Sequence, residues 1–209
     1  MNYSILPLFS KPFYVKKLDY IDNVYFNKLL SNIKNQSYKK SDNKFYTTVS
    51  KDYSILEKKE FSTLKKHILK EFDFYKNDIL KYNNTNFKIV TSWLTKAKKG
   101  QISRLHCHKN SMFSGVFYFS VNKEQLNISF ENLQRSSYSV ESTEYNIYNS
   151  SEQKLIVENK TLILFPSEVH HQILENISEK DRYSLAFNVI PDGEYGPINS
   201  DSRVNIKVL

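Results

Sequence analysis

The sequence predicts a mainly β chain with N-terminal helices, an α+β protein whose core is an antiparallel β-sandwich. Two observations carry this. Up to about residue 86 the apolar residues recur at steps of three and four, and from residue 87 they recur at steps of two. The second part is also cut at short intervals by Gly, Pro, Asn and charged clusters, the punctuation of short strands.

The opening MNYSILPLFSKPFYV has no basic leader, and Pro7 and Pro12 break its apolar stretch, so no secretion signal is expected. DYIDNVYFNKLLSNIK then places Ile21, Val24, Tyr25, Leu29 and Ile33 on one helical stripe. FSTLKKHILKEFDFYKNDIL repeats the pattern with Phe61, Leu64, Ile68, Phe72, Tyr75 and Ile79, while His67, among lysines and off the stripe, is expected in solvent. Nine strand-like pieces follow: FKIVTSWLT, QISRLHCH, MFSGVFYFSV, LNISFE, KLIV, TLILF, HQILE, RYSLAFNVI and VNIKV. Residues 132–153, NLQRSSYSVESTEYNIYNSSEQ, are polar and weakly patterned and read as a long surface insertion, the kind of loop that covers sites. One domain over 1–209 is expected, with a helical layer at 1–86 and a β core at 87–209.

Composition narrows the class. The 209 residues are 40% hydrophobic and 14% aromatic, enough for one sizeable core. Cys107 is the only cysteine, so an intrachain disulfide is excluded and a reducing, cytoplasmic location is expected. No apolar run reaches the length of a membrane span. The net charge of +8 comes from lysines scattered along the chain rather than gathered in one block, so it does not favour nucleic acid as a partner.

Of five histidines, four stand in two tight places, His106/His108 and His170/His171. On a strand, residues i and i+2 share a face, so His106 and His108 lie side by side with Cys107 turned away. Paired imidazoles suit Fe, Zn, Cu or Ni, and spacing does not choose among them; two hydrogen-bonded histidines without a metal are the competing reading. The second place adds a partner. If HQILE and RYSLAF form a hairpin around Asn176 and Ile177, opposed residues sum to 353, and 171 plus 182 is 353. His171 would then face Arg182 across the ladder, Cβ atoms about 5 Å apart. Such a pair makes sense with an anion between its members: Arg182 offers a planar fork for a carboxylate, and Ser184 adds a hydroxyl on the same face. The competing reading leaves Arg182 at the surface, paired with Glu179 or Asp181.

Together these segments resemble a known family, the iron(II)- and 2-oxoglutarate-dependent oxygenases of unknown substrate found in marine bacteria and their phages and related to the prolyl hydroxylases. The resemblance runs in order through PLFSKPFYV, SWLTKAKKGQ with Trp93, HCHKNSMFSGVFYF (H-x-H, then S-G-V-x-Y), LILFPSEVHH (L-x-F-P-S and a histidine) and RYSLAFN (R-x-S-x-x-F-N). It implies a double-stranded β-helix, a jelly-roll or cupin-like sandwich whose open mouth holds Fe(II). It also implies that His106 is the first metal ligand and His171 the distal one, in preference to His170, which alternation turns away. Arg182 would hold the remote carboxylate of the co-substrate 2-oxoglutarate, with Ser184 beside it and Tyr118 as a further donor. The implied reaction is a dioxygenase reaction that consumes O2 and 2-oxoglutarate and hydroxylates an unidentified primary substrate. Two positions depart from the pattern. The middle ligand, usually a carboxylate, is His108, with Glu131 as the alternative carboxylate; and Glu168 stands where the family has a bulky aromatic residue. A three-histidine zinc hydrolase or lyase and a non-enzymatic jelly-roll binding module stay open beside the oxygenase; the tyrosines of 138–148 would supply stacking surfaces for the latter.

Overall fold

The computed structural model describes residues 4–7, 10–39, 43–122, 124–133 and 140–208. Ten strands are present among them: β1 (Tyr14–Lys17), β2 (Thr48–Val49), β3 (Asn86–Ala97), β4 (Phe113–Ser120), β5 (Ile128–Glu131), β6 (Glu152–Leu155), β7 (Thr161–Pro166), β8 (His170–Ile173), β9 (Arg182–Tyr195) and β10 (Val204–Ile206). The large sheet runs β1-β7-β4-β9-β3-β2 with β10 beside β9, and the small sheet runs β6-β5-β8. Every strand pairing is antiparallel. This is the double-stranded β-helix that the sequence led us to expect.

Alternation sorts the large sheet into two faces. Leu94, Phe117, Leu162, Leu164, Leu185 and Phe187 point outward and are covered by helices α1 (Asn23–Lys34) and α2 (Ser62–Phe74). Val116, Tyr118, Ile163, Phe165 and Ala186 point inward and meet Ile128 and Phe130 of the small sheet. Asp22 starts α1 by accepting the Tyr25 backbone N–H at 2.9 Å, which satisfies one of the helix's free donors. No helix among the described residues is long and apolar enough to cross a membrane.

The helical stripes differ from expectation at their ends. Val24 is 78% exposed and Phe26 takes its place, stacked 5.7 Å from Phe119, because the helix is rotated so that Phe26, Leu29 and Ile33 face the sheet. Ile79 is exposed because α2 runs into a π turn at 75–79; the wider turn shifts the phase and points Ile79 away from the core. His67 packs its ring against Tyr20, centroids 5.1 Å apart, instead of standing free in solvent.

Three larger corrections concern the β part. QISRLHCH is not a strand: it makes only isolated bridges, Ile102 to Tyr46 and His106 to His171, because no neighbouring strand follows it for more than one residue. The hairpin pairing His171 with Arg182 does not form. β8 pairs with β5 and β9 with β3 and β4, so residues 174–181 cross from the small sheet to the large one. Both strands bury an inward face, and the sandwich satisfies them face to face, not edge to edge. Asn176 stabilises the crossing by donating to the carbonyls of Ala97 (3.0 Å) and Lys180 (2.9 Å). The supposed insertion 132–153 ends early, since β6 takes residues 152 and 153; its residues 134–139, including Tyr138, lie outside those described. β1 escaped the sequence reading because YVKK is a charged edge strand without alternation.

Gly115 shows why S-G-V reads as it does. It lies opposite Phe187 in the β4–β9 ladder, and a Cβ built there would sit 2.1 Å from the Phe187 ring. Gly115→Ala is therefore expected to displace that fully buried ring and lower stability by about 1–3 kcal/mol, the usual cost of overpacking; thermal unfolding of the two proteins measures it.

Candidate metal centre and anion pocket

Backbone pairing brings the histidines together. The His106 N–H donates to the His171 carbonyl at 3.0 Å, and the His171 N–H to the His106 carbonyl at 2.8 Å; the His108 N–H donates to the Ser167 carbonyl at 3.0 Å. Ring centroids of His106 and His171 are 4.4 Å apart, those of His108 and His171 5.0 Å, and those of His106 and His108 5.3 Å. One nitrogen from each ring lies within 4.8 Å of the other two.

The hydrogen bonds decide which nitrogens these are. Nδ1 of His106 lies 2.8 Å from the Arg104 carbonyl, Nδ1 of His171 3.0 Å from the Val169 carbonyl, and Nδ1 of His108 2.7 Å from Asn188 Oδ1. A carbonyl oxygen only accepts, so each Nδ1 carries a hydrogen, and in the neutral ring Nε2 is then the nitrogen with the lone pair. Nε2 of His106 and Nε2 of His108 then face each other at 3.3 Å as two acceptors with nothing to share. A cation relieves that repulsion. Ligand bonds of about 2.0–2.1 Å place adjacent nitrogens roughly 3 Å apart, so the residues present fit a metal. Burial pushes His171 down to about 3 and lowers His108 as well, which keeps both rings neutral and their lone pairs available at neutral pH.

Glu131 does not join them. Phe130 lies opposite His171 and Glu131 opposite His170, so alternation sends Glu131 and His170 to the other face of the small sheet. Among the described residues no carboxylate stands in the histidine cluster.

The large sheet supplies the other wall of the same cavity. Thr95, Ser184 and Tyr118 stand side by side across β3, β9 and β4, and with Arg182 and the three histidines they line it. Arg182 is 4% exposed. Its Nη2 donates to the Leu174 carbonyl at 2.6 Å, and its Nη1 to the carbonyl and side-chain oxygens of Asn127 at 3.4 and 3.3 Å. The carboxylates once considered for it are engaged elsewhere, Asp181 with Lys96 at 2.9 Å and Glu179 with Lys99. A buried guanidinium held only by neutral oxygens is costly without an anion. Burial lowers its pKa to about 10 and raises that of Tyr118, so Tyr118 remains a hydroxyl donor. The sequence reading brought His171 and Arg182 together through the wrong hairpin; the structure brings them together across the sandwich. It missed Thr95, which follows from Trp93 by the i, i+2 rule, and Ser114, Ser167 and Asn188, whose roles depend on three separate strands meeting. Glu168 lies at the surface, 3.4 Å from Lys11.

Residues 91–188 match a protein-family model described as "Putative 2OG-Fe(II) oxygenase". No curated protein sequence matches the chain. Among solved structures, the fold is similar to a Pseudomonas putida prolyl-4-hydroxylase (TM-score 0.60, 12% identity, 88% of this chain and 95% of that one). It is similar to HygX from Streptomyces hygroscopicus, solved with nickel, 2-oxoglutarate and hygromycin B (TM-score 0.62, 11% identity, 87% and 83%). It is also similar to the viral collagen prolyl hydroxylase of Paramecium Bursaria Chlorella virus-1, solved with 2-oxoglutarate (TM-score 0.54, 11% identity, 85% and 94%). At these identities the likeness establishes the fold.

Proposed function

We propose that this chain, whose residues 91–188 match a 2OG-Fe(II) oxygenase family model, is an iron(II)- and 2-oxoglutarate-dependent dioxygenase that hydroxylates a primary substrate still to be identified. In this reading His106, His108 and His171 hold the metal, and Arg182, Ser184 and Tyr118 surround the far carboxylate of 2-oxoglutarate. The observation that carries it is the meeting, in one cavity, of three imidazoles and a buried arginine that has no carboxylate partner among the described residues.

When bound, Fe(II) supplies O2 activation coupled to the oxidative decarboxylation of 2-oxoglutarate to succinate. The protein's residues hold and orient. The imidazoles are fixed through Nδ1 before any metal arrives, so little ordering remains to be done on binding. Imidazole ligands bring no negative charge, so the two carboxylates of 2-oxoglutarate would offset most of the charge of the metal and Arg182. Val116, Ile128, Ile173 and Ala186 make the remaining wall apolar, which strengthens these charge interactions by excluding water. Besides the histidines, the polar side chains that line the cavity among the described residues are Trp93, Arg182 and the hydroxyls of Thr95, Tyr118 and Ser184, and none is a carboxylate general base; this weighs against a zinc hydrolase.

Purified protein given iron(II), ascorbate and 2-oxoglutarate in air is expected to form succinate without any primary substrate. Background succinate, together with no anaerobic binding of 2-oxoglutarate to the metal-loaded protein by calorimetry, would overturn the reading.

A further inference from the structure

The segments around the histidines contain three polar residues to which the chemistry above assigns no part: Ser114 of S-G-V, Ser167 of F-P-S and Asn188 of F-N. The fold gathers all three onto His108. Ser114 lies opposite Asn188 in the β4–β9 ladder, and Ser167 immediately follows β7 on the other side of β4. Ser114 Oγ is 2.7 Å from Ser167 Oγ, 2.9 Å from Asn188 Oδ1 and 2.8 Å from His108 Nδ1, while His108 Nδ1 is 2.7 Å from Asn188 Oδ1. Ser114 and Ser167 are fully buried.

The hydrogens can be arranged without conflict. The Ser167 hydroxyl donates to Ser114, the Ser114 hydroxyl donates to Asn188 Oδ1, and His108 Nδ1–H donates to the same oxygen. Moving the His108 hydrogen to Nε2 would set the Nδ1 lone pair against Oδ1 at 2.7 Å, two acceptors in contact. His106 and His171 need no such arrangement, since their Nδ1 partners are backbone carbonyls. His108 alone takes its orientation from a side chain.

We infer that Asn188, braced by Ser114 and Ser167, is a positioning residue that fixes the tautomer and ring orientation of His108 and so completes the metal site. The inference rests on the metal-site reading above and adds the residues on which its third ligand depends. It also gives β9 two duties: Arg182 faces the co-substrate at one end, and Asn188 sets a ligand six residues further along.

The alternative is that the three residues only satisfy one another as buried polar groups. Thr91 provides the control. It stands across the ladder from Asn188, and its Oγ1 is buried without a hydrogen-bond partner among the described residues. The probe is Co(II), titrated into the full metal-free chain by calorimetry, with its visible absorption recorded and the melting temperature of each metal-free protein measured. Asn188→Leu, similar in size but unable to accept, is expected to weaken Co(II) binding about 10- to 100-fold, the range for losing a residue that orients a ligand. Asn188→Asp retains an acceptor oxygen and is expected to stay within a few-fold of wild type. Ser114→Ala falls between, and Thr91→Val leaves the affinity unchanged. Wild-type affinity in Asn188→Leu, or an Asp variant as weak as the Leu variant, overturns the positioning role. Wild-type protein that binds Co(II) no better than His171→Ala overturns the metal-site reading itself.

Discussion

His171→Ala is expected to abolish metal-dependent succinate formation and to weaken metal binding by more than about 100-fold, beyond the loss from residues that merely orient a ligand. His171 is the most buried of the three histidines, and its ring lies 5.0 Å from Phe165 and 5.9 Å from Phe130. Alanine therefore leaves a void as well as removing the proposed ligand, and lower thermal stability is expected too. His171→Gln separates the two effects. It fills more of the space but supplies no imidazole, so its stability should recover while metal binding and turnover do not. Calorimetry with Co(II) and the succinate assay read the binding and the activity; unfolding of the metal-free proteins reads the packing. A His171→Gln protein that binds metal like wild type would remove His171 from the ligand set.

Arg182→Met should move stability and binding in opposite directions. In the metal-free, ligand-free protein Arg182 is a buried charge with only neutral acceptors, and replacing such a charge by an apolar side chain of similar length is commonly neutral or stabilising. Toward 2-oxoglutarate the same change removes the only guanidinium that lines the cavity among the described residues. Losing a buried, hydrogen-bonded partner of a charge costs about 2–5 kcal/mol, a fall in affinity of roughly 30-fold to several thousand-fold. Arg182→Lys keeps the charge but not the planar fork, and it is expected to recover only part of the binding. Anaerobic calorimetry of 2-oxoglutarate against Co(II)-loaded proteins, beside thermal unfolding, makes the comparison. Loss of stability with unchanged 2-oxoglutarate affinity would make Arg182 a structural bridge between the sheets.

Much of this chain was readable from local pattern. The change of period near residue 87 separated helices from strands, since side-chain direction along a strand or helix depends on backbone geometry alone. The same rule put His106 and His108 on one side and turned His170 from His171, even though 101–108 is not a strand: the bridge from His106 to His171 and the His108 N–H bond to the Ser167 carbonyl hold both rings toward the cavity. The order of the segments carried the family resemblance, and with it the double-stranded β-helix. Errors arose where a partner strand was needed. The proposed hairpin paired β8 with β9 because they are neighbours in sequence, but here β7, β8 and β9 alternate between the large and the small sheet, and no local pattern encodes that choice. Glu131, the alternative to His108 as third ligand, is set aside only once pairing with β8 fixes its face. The network of Ser114, Ser167 and Asn188 was invisible for the same reason, each residue lying on a different strand or turn. Which residues could share a face was legible in the chain alone, because that follows from the backbone repeat. Which faces meet was settled only on folding, because that depends on burying two apolar sheets against each other across long loops.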